Sequence, residues 1–257
     1  MTYLQFLLIF LGIPLTVAIA LVFYKKSELP HRKEFQFGII LLIFLAVTYT
    51  TPWDNYLVKT GVWIYGEDRI LGTIGYVPIE EYCFFILQTI LSGLFCFLLQ
   101  ERFPLNKIAA NRIAANRIVT SSYVILFLLG VFFLFLEKTR YLGLILSWGM
   151  PVILLQWFFG GNVLLANNKI FLVSTLIPTF YLWIADGLAI SWEIWSISET
   201  YTMGVHFGSL PLEEAVFFLL TNLMVSQGLI LFVVMKEEMG KITYSMRRVL
   251  KWTGLAG

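Results

Sequence analysis

Charge is what this chain has least of. Only 13% of its 257 residues are Asp, Glu, Lys or Arg, while 59% are hydrophobic. Mean hydropathy is +0.81. Soluble domains carry about 25% charged residues, so the composition excludes a soluble globular protein and indicates an integral membrane protein. Cysteine is nearly absent. Cys83 and Cys96 fall thirteen residues apart in one predicted helix. They cannot pair within it, so no disulfide is expected. None of the apolar runs has an interior lysine, which excludes a Schiff-base photoreceptor. No Gly-x-Gly-x-x-Gly follows a strand, so no flavin or nicotinamide site is expected. There is no metal-ligand cluster, and nothing points to nucleic acid. His31 and His206 fall in loops and are assigned nothing. No basic segment precedes the first apolar run, which is read as an anchor and not as a cleavable signal.

What is present is apolar sequence in long pieces. A bilayer core takes about 20 apolar residues per helix. Seven runs are predicted to span: 3–24, 36–53, 78–99, 119–136, 140–159, 170–190 and 211–235. Only Glu137-Lys-Thr-Arg140 separates the fourth from the fifth. Counted on alternate sides, fourteen Lys and Arg lie in loops 25–35 and 100–118, at Lys169 and in the tail, against four on the other side. Basic residues stay inside, so the N-terminus is expected to be extracytoplasmic and the C-terminus cytoplasmic. The inner loop carries a tandem pentad, Ile-Ala-Ala-Asn-Arg, at 108–112 and 113–117. A duplicated linker is the preferred reading, over a basic patch for anionic headgroups.

One stretch occurs twice. Gly75-x-x-Pro78-x-Glu80-Glu81-x-x-Phe84-Phe85 reappears as Gly208-x-x-Pro211-x-Glu213-Glu214-x-x-Phe217-Phe218, an offset of 133. Upstream, Tyr49, Asp54 and Trp63 match Tyr181, Asp186 and Trp195 at an offset of 132. Each unit is three helices, with a Trp-bearing loop leading into the motif helix. Joined directly, two such units would have opposite orientations. The unmatched fourth helix makes the repeats parallel and brings both motifs to one side. The expected fold is therefore all-α and membrane-integral. Two three-helix repeats, 1–100 and 140–235, flank a linker and connecting helix at 101–139, and a cytoplasmic tail occupies 236–257.

Proline and acidic residues at a helix start also have a bland explanation, since they suit the first turn and the helix dipole. Paired acids in membrane helices are different. Inserting one costs about 2.5–3.5 kcal/mol at mid-helix and less near an interface, and these recur with Asp and Trp at matched spacing. At 100° per residue, Glu81, Gln88 and Ser92 share one face, as do Glu214 and Thr221. Polar residues in membrane helices face the bundle. Glu81 and Glu214 are thus expected to look inward, with Glu80 and Glu213 to the side. Asp54 and Asp186 are expected near the outward helix ends, as supporting acids or interfacial caps. Trp53, Trp63, Trp183, Trp192 and Trp195 suit an interfacial belt and equally a site for cations.

Twin Pro-x-Glu-Glu motifs, each after an Asp and a Trp, in a three-plus-one-plus-three chain resemble the fused form of the heterodimeric-type lycopene cyclases. The resemblance covers about residues 1–235. It implies redox-neutral cyclisation of a carotenoid end group to a β-ionone ring, giving β- or γ-carotene. No cofactor is implied. The implied partners are lycopene, the lipid bilayer and other enzymes of carotenoid synthesis. A carboxylic acid protonates the terminal alkene, the internal alkene closes on the cation, and a carboxylate removes a proton. On this reading Glu80, Glu81, Glu213, Glu214, Asp54 and Asp186 are the candidate catalytic residues. Trp63, Trp195, Phe84, Phe85, Phe217 and Phe218 line the substrate. The alternative is a proton-coupled transporter, which also uses parallel repeats and paired acids, but with broken helices and acids near the midplane.

Overall fold

A computed structural model describes residues 1–25, 30–106 and 117–252, with the side chains of Glu67 and residues 237–252 left aside. The tandem pentad lies outside the described residues, apart from Arg117 at its end. The described chain is a helical bundle. Its helices are α1 (Tyr3–Tyr24), α2 (Arg32–Lys59), α3 (Ile79–Leu99), α4 (Arg117–Phe133), α5 (Arg140–Ala166), α6 (Asn168–Ser191) and α7 (Leu212–Trp252). Six of them are long and apolar enough to cross a membrane, and α4 is a shorter apolar helix of 17 residues. Large apolar side chains such as Leu8, Phe44, Leu128 and Ile184 point outward. That suits lipid as solvent, since a water-soluble surface rarely exposes such patches.

Helix ends depart from the sequence reading where tertiary contacts override local signals. α2 continues past residue 53 to Lys59, so Asp54, near the outward end as expected, lies inside the helix and is fully buried. Asp186 likewise sits within α6, buried. The Gly160-Gly161 pair does not end α5. Gly160 takes a non-helical φ of −158° and kinks the helix, which resumes to Ala166. The last helix runs on to Trp252, through the stretch expected to be a separate tail. The break between α4 and α5 is a single 3-10 turn, Glu137–Thr139. These two helices pack through glycine: a Cβ at Gly143 would stand 2.7 Å from the backbone nitrogen of Leu134 and 2.9 Å from the carbonyl of Gly130. Small residues permit such close approach between membrane helices.

The loops that carry the motifs are short hairpins. β2 (Thr73–Ile74) pairs with β3 (Val77–Pro78), and β5 (His206–Phe207) with β6 (Leu210–Pro211), both antiparallel. Gly75 and Gly208 each take a φ of 67° at the first turn position. Two-residue turns of the primed type place glycine there because a Cβ resists positive φ. The motif glycine thus turns the chain, and the proline closes the hairpin as cap of the helix that follows. Upstream, β1 (Trp63–Tyr65) pairs with β4 (Trp195–Ile197), antiparallel. Ile64 lies opposite Ser196, and these two are equivalent at the 132-residue offset. An antiparallel pair centred on equivalent residues is what a two-fold axis between them produces.

Among the described residues, most buried apolar side chains fall into two clusters. One gathers Tyr3, Phe6, Trp63, Phe84, Tyr141 and Phe217 around the motif ends of the helices, and the other gathers Phe35, Phe97, Leu164 and Leu229 toward the opposite ends.

Candidate active site

Two adjacent glutamates open each motif helix, and the structure gives them different tasks. Glu80 and Glu213 are buried, 1% and 0% exposed, and turn toward their own hairpins. Oε1 of Glu80 accepts from the Leu71 backbone N–H at 2.8 Å, and Oε1 of Glu213 from that of Met203 at 2.7 Å. Each outer glutamate therefore fastens the loop ahead of its helix, and its other oxygen is buried without a partner.

Glu81 and Glu214 turn the other way, as the 100° step predicts, and share one pocket. Its walls also include Tyr3, Trp63, Tyr65, Phe84, Asp186, Trp195, Ile197, Phe217 and Phe218. The hydroxyls of Tyr3 and Tyr65 donate to Oε2 of Glu81 at 2.5 and 3.0 Å. The hydroxyl of Tyr141 donates to Oε1 of Glu214 at 2.6 Å and accepts from Nε1 of Trp63 at 2.7 Å. Because the indole N–H can only donate, the direction of that chain is fixed: Trp63 to Tyr141 to Glu214. Burial first, and the Glu81 carboxyl beside it second, hold the Tyr65 hydroxyl well above the usual tyrosine range, so it remains a donor.

The halves are matched but unequal. Trp195 donates to Oδ1 of Asp186, in its own half, at 3.1 Å. Its equivalent Trp63 reaches instead into the other half, to Tyr141. Both oxygens of Asp54 are left buried and unpartnered. Asp54 lies close enough to act electrostatically on both Glu81 and Glu214, yet it does not line the pocket. Tyr65 has Ile197 as its counterpart.

Of the candidate residues, the structure brings Glu81, Glu214, Asp186, Trp63, Trp195, Phe84, Phe217 and Phe218 to one wall, and leaves Glu80, Glu213, Asp54 and Phe85 behind it. The three tyrosines were missed. Tyr3 and Tyr141 each stand at the start of the first helix of their half, but they are 138 residues apart and the repeat offset of 132–133 does not match them. Tyr65 stands two residues after Trp63, and no repeat signal marks it because its counterpart is Ile197. The pocket is small, about 20 Å³, room for a single water. Its walls are rings: Tyr3 lies 4.7 Å from Trp195, and Trp63 5.8 Å from Phe217, centroid to centroid. Among the described residues, no three His, Cys, Asp or Glu side chains gather as a metal site would need.

A buried carboxyl pair in an aromatic cage suits proton transfer to and from an apolar molecule and stabilises a passing cation. Comparison with known proteins agrees. The chain matches the family model for Lycopene cyclase over residues 1–102 and 138–233. The Lycopene beta-cyclase of Halobacterium salinarum is 39% identical over 233 residues, 90% of this chain and 95% of that protein. The Bifunctional lycopene cyclase/phytoene synthase of Aspergillus niger is 34% identical over 85% of this chain and 38% of its own length. That of Sporisorium reilianum is 38% identical over 72% of this chain and 29% of its own length. No solved structure matches. The matched segments omit 103–137, the stretch that holds the linker and α4, and together they cover most of the chain, which belongs to the lycopene cyclase family.

Proposed function

We propose that the protein cyclises an end group of lycopene to a β-ionone ring, without net redox change. The observation that supports this most directly is the single pocket shared by Glu81 and Glu214, from motifs 133 residues apart. One carboxylic acid gives its proton to the terminal alkene. The electron pair of the internal alkene forms the new carbon–carbon bond to the resulting cation. A carboxylate then takes a proton from the neighbouring carbon, and the ring double bond forms. Nothing is gained or lost, so the reaction is an isomerisation. Proton return from base to acid resets the site.

Hydrogen bonding divides the roles. Hydrogen bonds to the charged form favour it. Glu81 accepts two tyrosine hydroxyls and is assigned as the carboxylate facing the cation; Glu214 accepts one and is assigned as the acid. Trp63, Trp195 and Phe217 offer ring faces to the cation, at about 0.5–2 kcal/mol each. Asp186 supports from the wall, and Glu80, Glu213 and Asp54 from behind it.

The architecture proposed around this site is two parallel three-helix repeats, 1–100 and 140–235, with α4 as a seventh span. At 1.5 Å per residue, 17 residues reach about 26 Å, short of a core of about 30 Å by an amount a bilayer absorbs. The β1–β4 pair supports the crossing, because α6 delivers β4 beside β1 only if three helices cross after α3. The bias of basic residues supports a pocket at the extracytoplasmic side. Expression in lycopene-accumulating bacteria, with pigments separated by chromatography, tests the proposal. A cyclised product is expected, and unchanged lycopene beside well-expressed protein overturns it.

A further inference from the structure

The pocket holding the two glutamates is far smaller than any carotenoid end group, and a second cavity lies directly beneath it. This one measures about 370 Å³. It is framed by α2, α3, α5 and α7, with Ala46, Gln88, Trp148, Val152, Thr221 and Met224 among its walls. Phe217 is the side chain common to both spaces.

The two spaces follow one line. On α7 the pocket and cavity residues run Glu214, Phe217, Thr221, Met224, steps of three and four that keep to one helix face. On α3 the same steps run Glu81, Phe84, Gln88. The cavity's lining covers Leu42 to Thr50 on α2, Trp148 to Gln156 on α5 and Phe217 to Val225 on α7. Each interval is eight residues, or about 12 Å of axial length. Several of its polar groups are engaged within the protein: Gln88 donates to Thr221 at 3.1 Å, Thr221 to the Phe218 carbonyl at 3.1 Å, and Gln156 to the Met224 carbonyl at 3.0 Å, while Oε1 of Gln156 and Nε1 of Trp148 are buried without a partner. What they leave facing the space is mainly apolar. The ring of Phe217 stacks 5.7 Å from Trp53 and 5.9 Å from Trp148, an aromatic floor under the acids.

Resting on the cyclase reading, we propose that this cavity holds the stretch of the substrate's polyene chain next to the end group, and that the end group reaches the glutamates by displacing the Phe217 ring, which merges the two spaces. The occupant is an extended, apolar, methyl-branched polyene chain of the substrate itself. Continuity through Phe217, and the placement of both spaces on the same helix faces, distinguish it from a lipid tail resting in an unrelated groove.

The test fills the cavity far from the acids. Ala46→Trp on α2 and Val152→Trp on α5 are purified in bilayer mimetic, their thermal unfolding is measured, and kcat/KM is read on lycopene and on a truncated polyene with the same end group. Folded variants are expected to lose about tenfold or more on lycopene, the scale on which a filled pocket rejects a substrate, while the truncated substrate is cyclised as by the unsubstituted protein. If both tryptophan variants fail to fold, Ala46→Leu is read in the same way. Wild-type turnover of lycopene by a folded variant overturns the proposal, and so does an equal loss on both substrates, which is the result expected if lipid fills the cavity. Failure of the unsubstituted protein to cyclise either substrate would instead overturn the cyclase reading.

Discussion

Gln88 and Thr221 stand at equivalent places in the two halves, 133 residues apart, and are hydrogen-bonded to each other, Nε2 to Oγ1, at 3.1 Å. One turn further along α3, Ser92 donates to Asn222 at 2.7 Å. A bond between equivalent residues lies on the axis that relates the halves. The polar seam between α3 and α7 therefore fixes the two helices in register, and with them the height at which Glu81 and Glu214 meet.

Glu81→Gln and Glu214→Gln are both expected to lower ring formation by about 10²–10⁴-fold, the usual contribution of a general acid or base, in protein that still folds. Heavy water separates their roles. With Glu214 as acid, Glu81→Gln still protonates the substrate reversibly, and recovered lycopene gains deuterium; Glu214→Gln leaves it unlabelled. Mass spectrometry of recovered lycopene reads the difference, and label in the Glu214 variant alone would reverse the assignment.

The outer pair should behave differently. A glutamine side chain keeps an oxygen that can accept from Leu71 or Met203, so Glu80→Gln and Glu213→Gln are expected to retain turnover within about threefold, whereas Glu80→Ala removes the acceptor of the Leu71 N–H and should lower stability by about 0.5–1.5 kcal/mol. Product analysis beside melting temperature checks this. A Glu80→Gln variant as inactive as Glu81→Gln would place Glu80 in the chemistry.

Removing the hydroxyl of Tyr141 takes a hydrogen bond from two groups at once. Tyr141→Phe takes from the Trp63 N–H its 2.7 Å acceptor and from Glu214 its hydroxyl donor, so a loss of about 1 kcal/mol in stability should accompany slower ring formation. Tyr3→Phe leaves Glu81 one donor, Tyr65, and should be milder. Equal stability and activity of Tyr141→Phe and the unsubstituted protein would rule out the relay.

Topology can be read with cysteine. Glu199→Cys is expected to react with an impermeant thiol reagent on intact cells, and Ala256→Cys only after permeabilisation, with Cys83 and Cys96 alone as the control. Labelling of both from the same side would contradict an outward N-terminus with an inward tail.

The repeat, the Trp loops and the inward turn of Glu81 and Glu214 could all be read from spacing, because a helix converts spacing into direction. The seam could be read in part: Gln88, Ser92 and Thr221 were legible as stripes facing the bundle, but their pairing and the part of Asn222 were not. Contacts between distant segments could not. Tyr3 meets Glu81 across 78 residues and Tyr141 meets Glu214 across 73, and no local pattern encodes such pairs. Local punctuation also misled. The apolar run of α2 stops at 53 while the helix continues to Lys59, so Asp54 lies buried inside it, and Gly160 bends α5 where a stop was expected.

The unequal halves bear on which way round a molecule can sit. A cage with perfect two-fold symmetry would accept an end group equally well in two orientations related by a half turn, and in one of them the proton donor would face the wrong carbon. Tyr65 on one side and Ile197 on the other remove that degeneracy. Replacing a hydroxyl by a hydrocarbon at one of two equivalent positions lets a duplicated scaffold distinguish front from back.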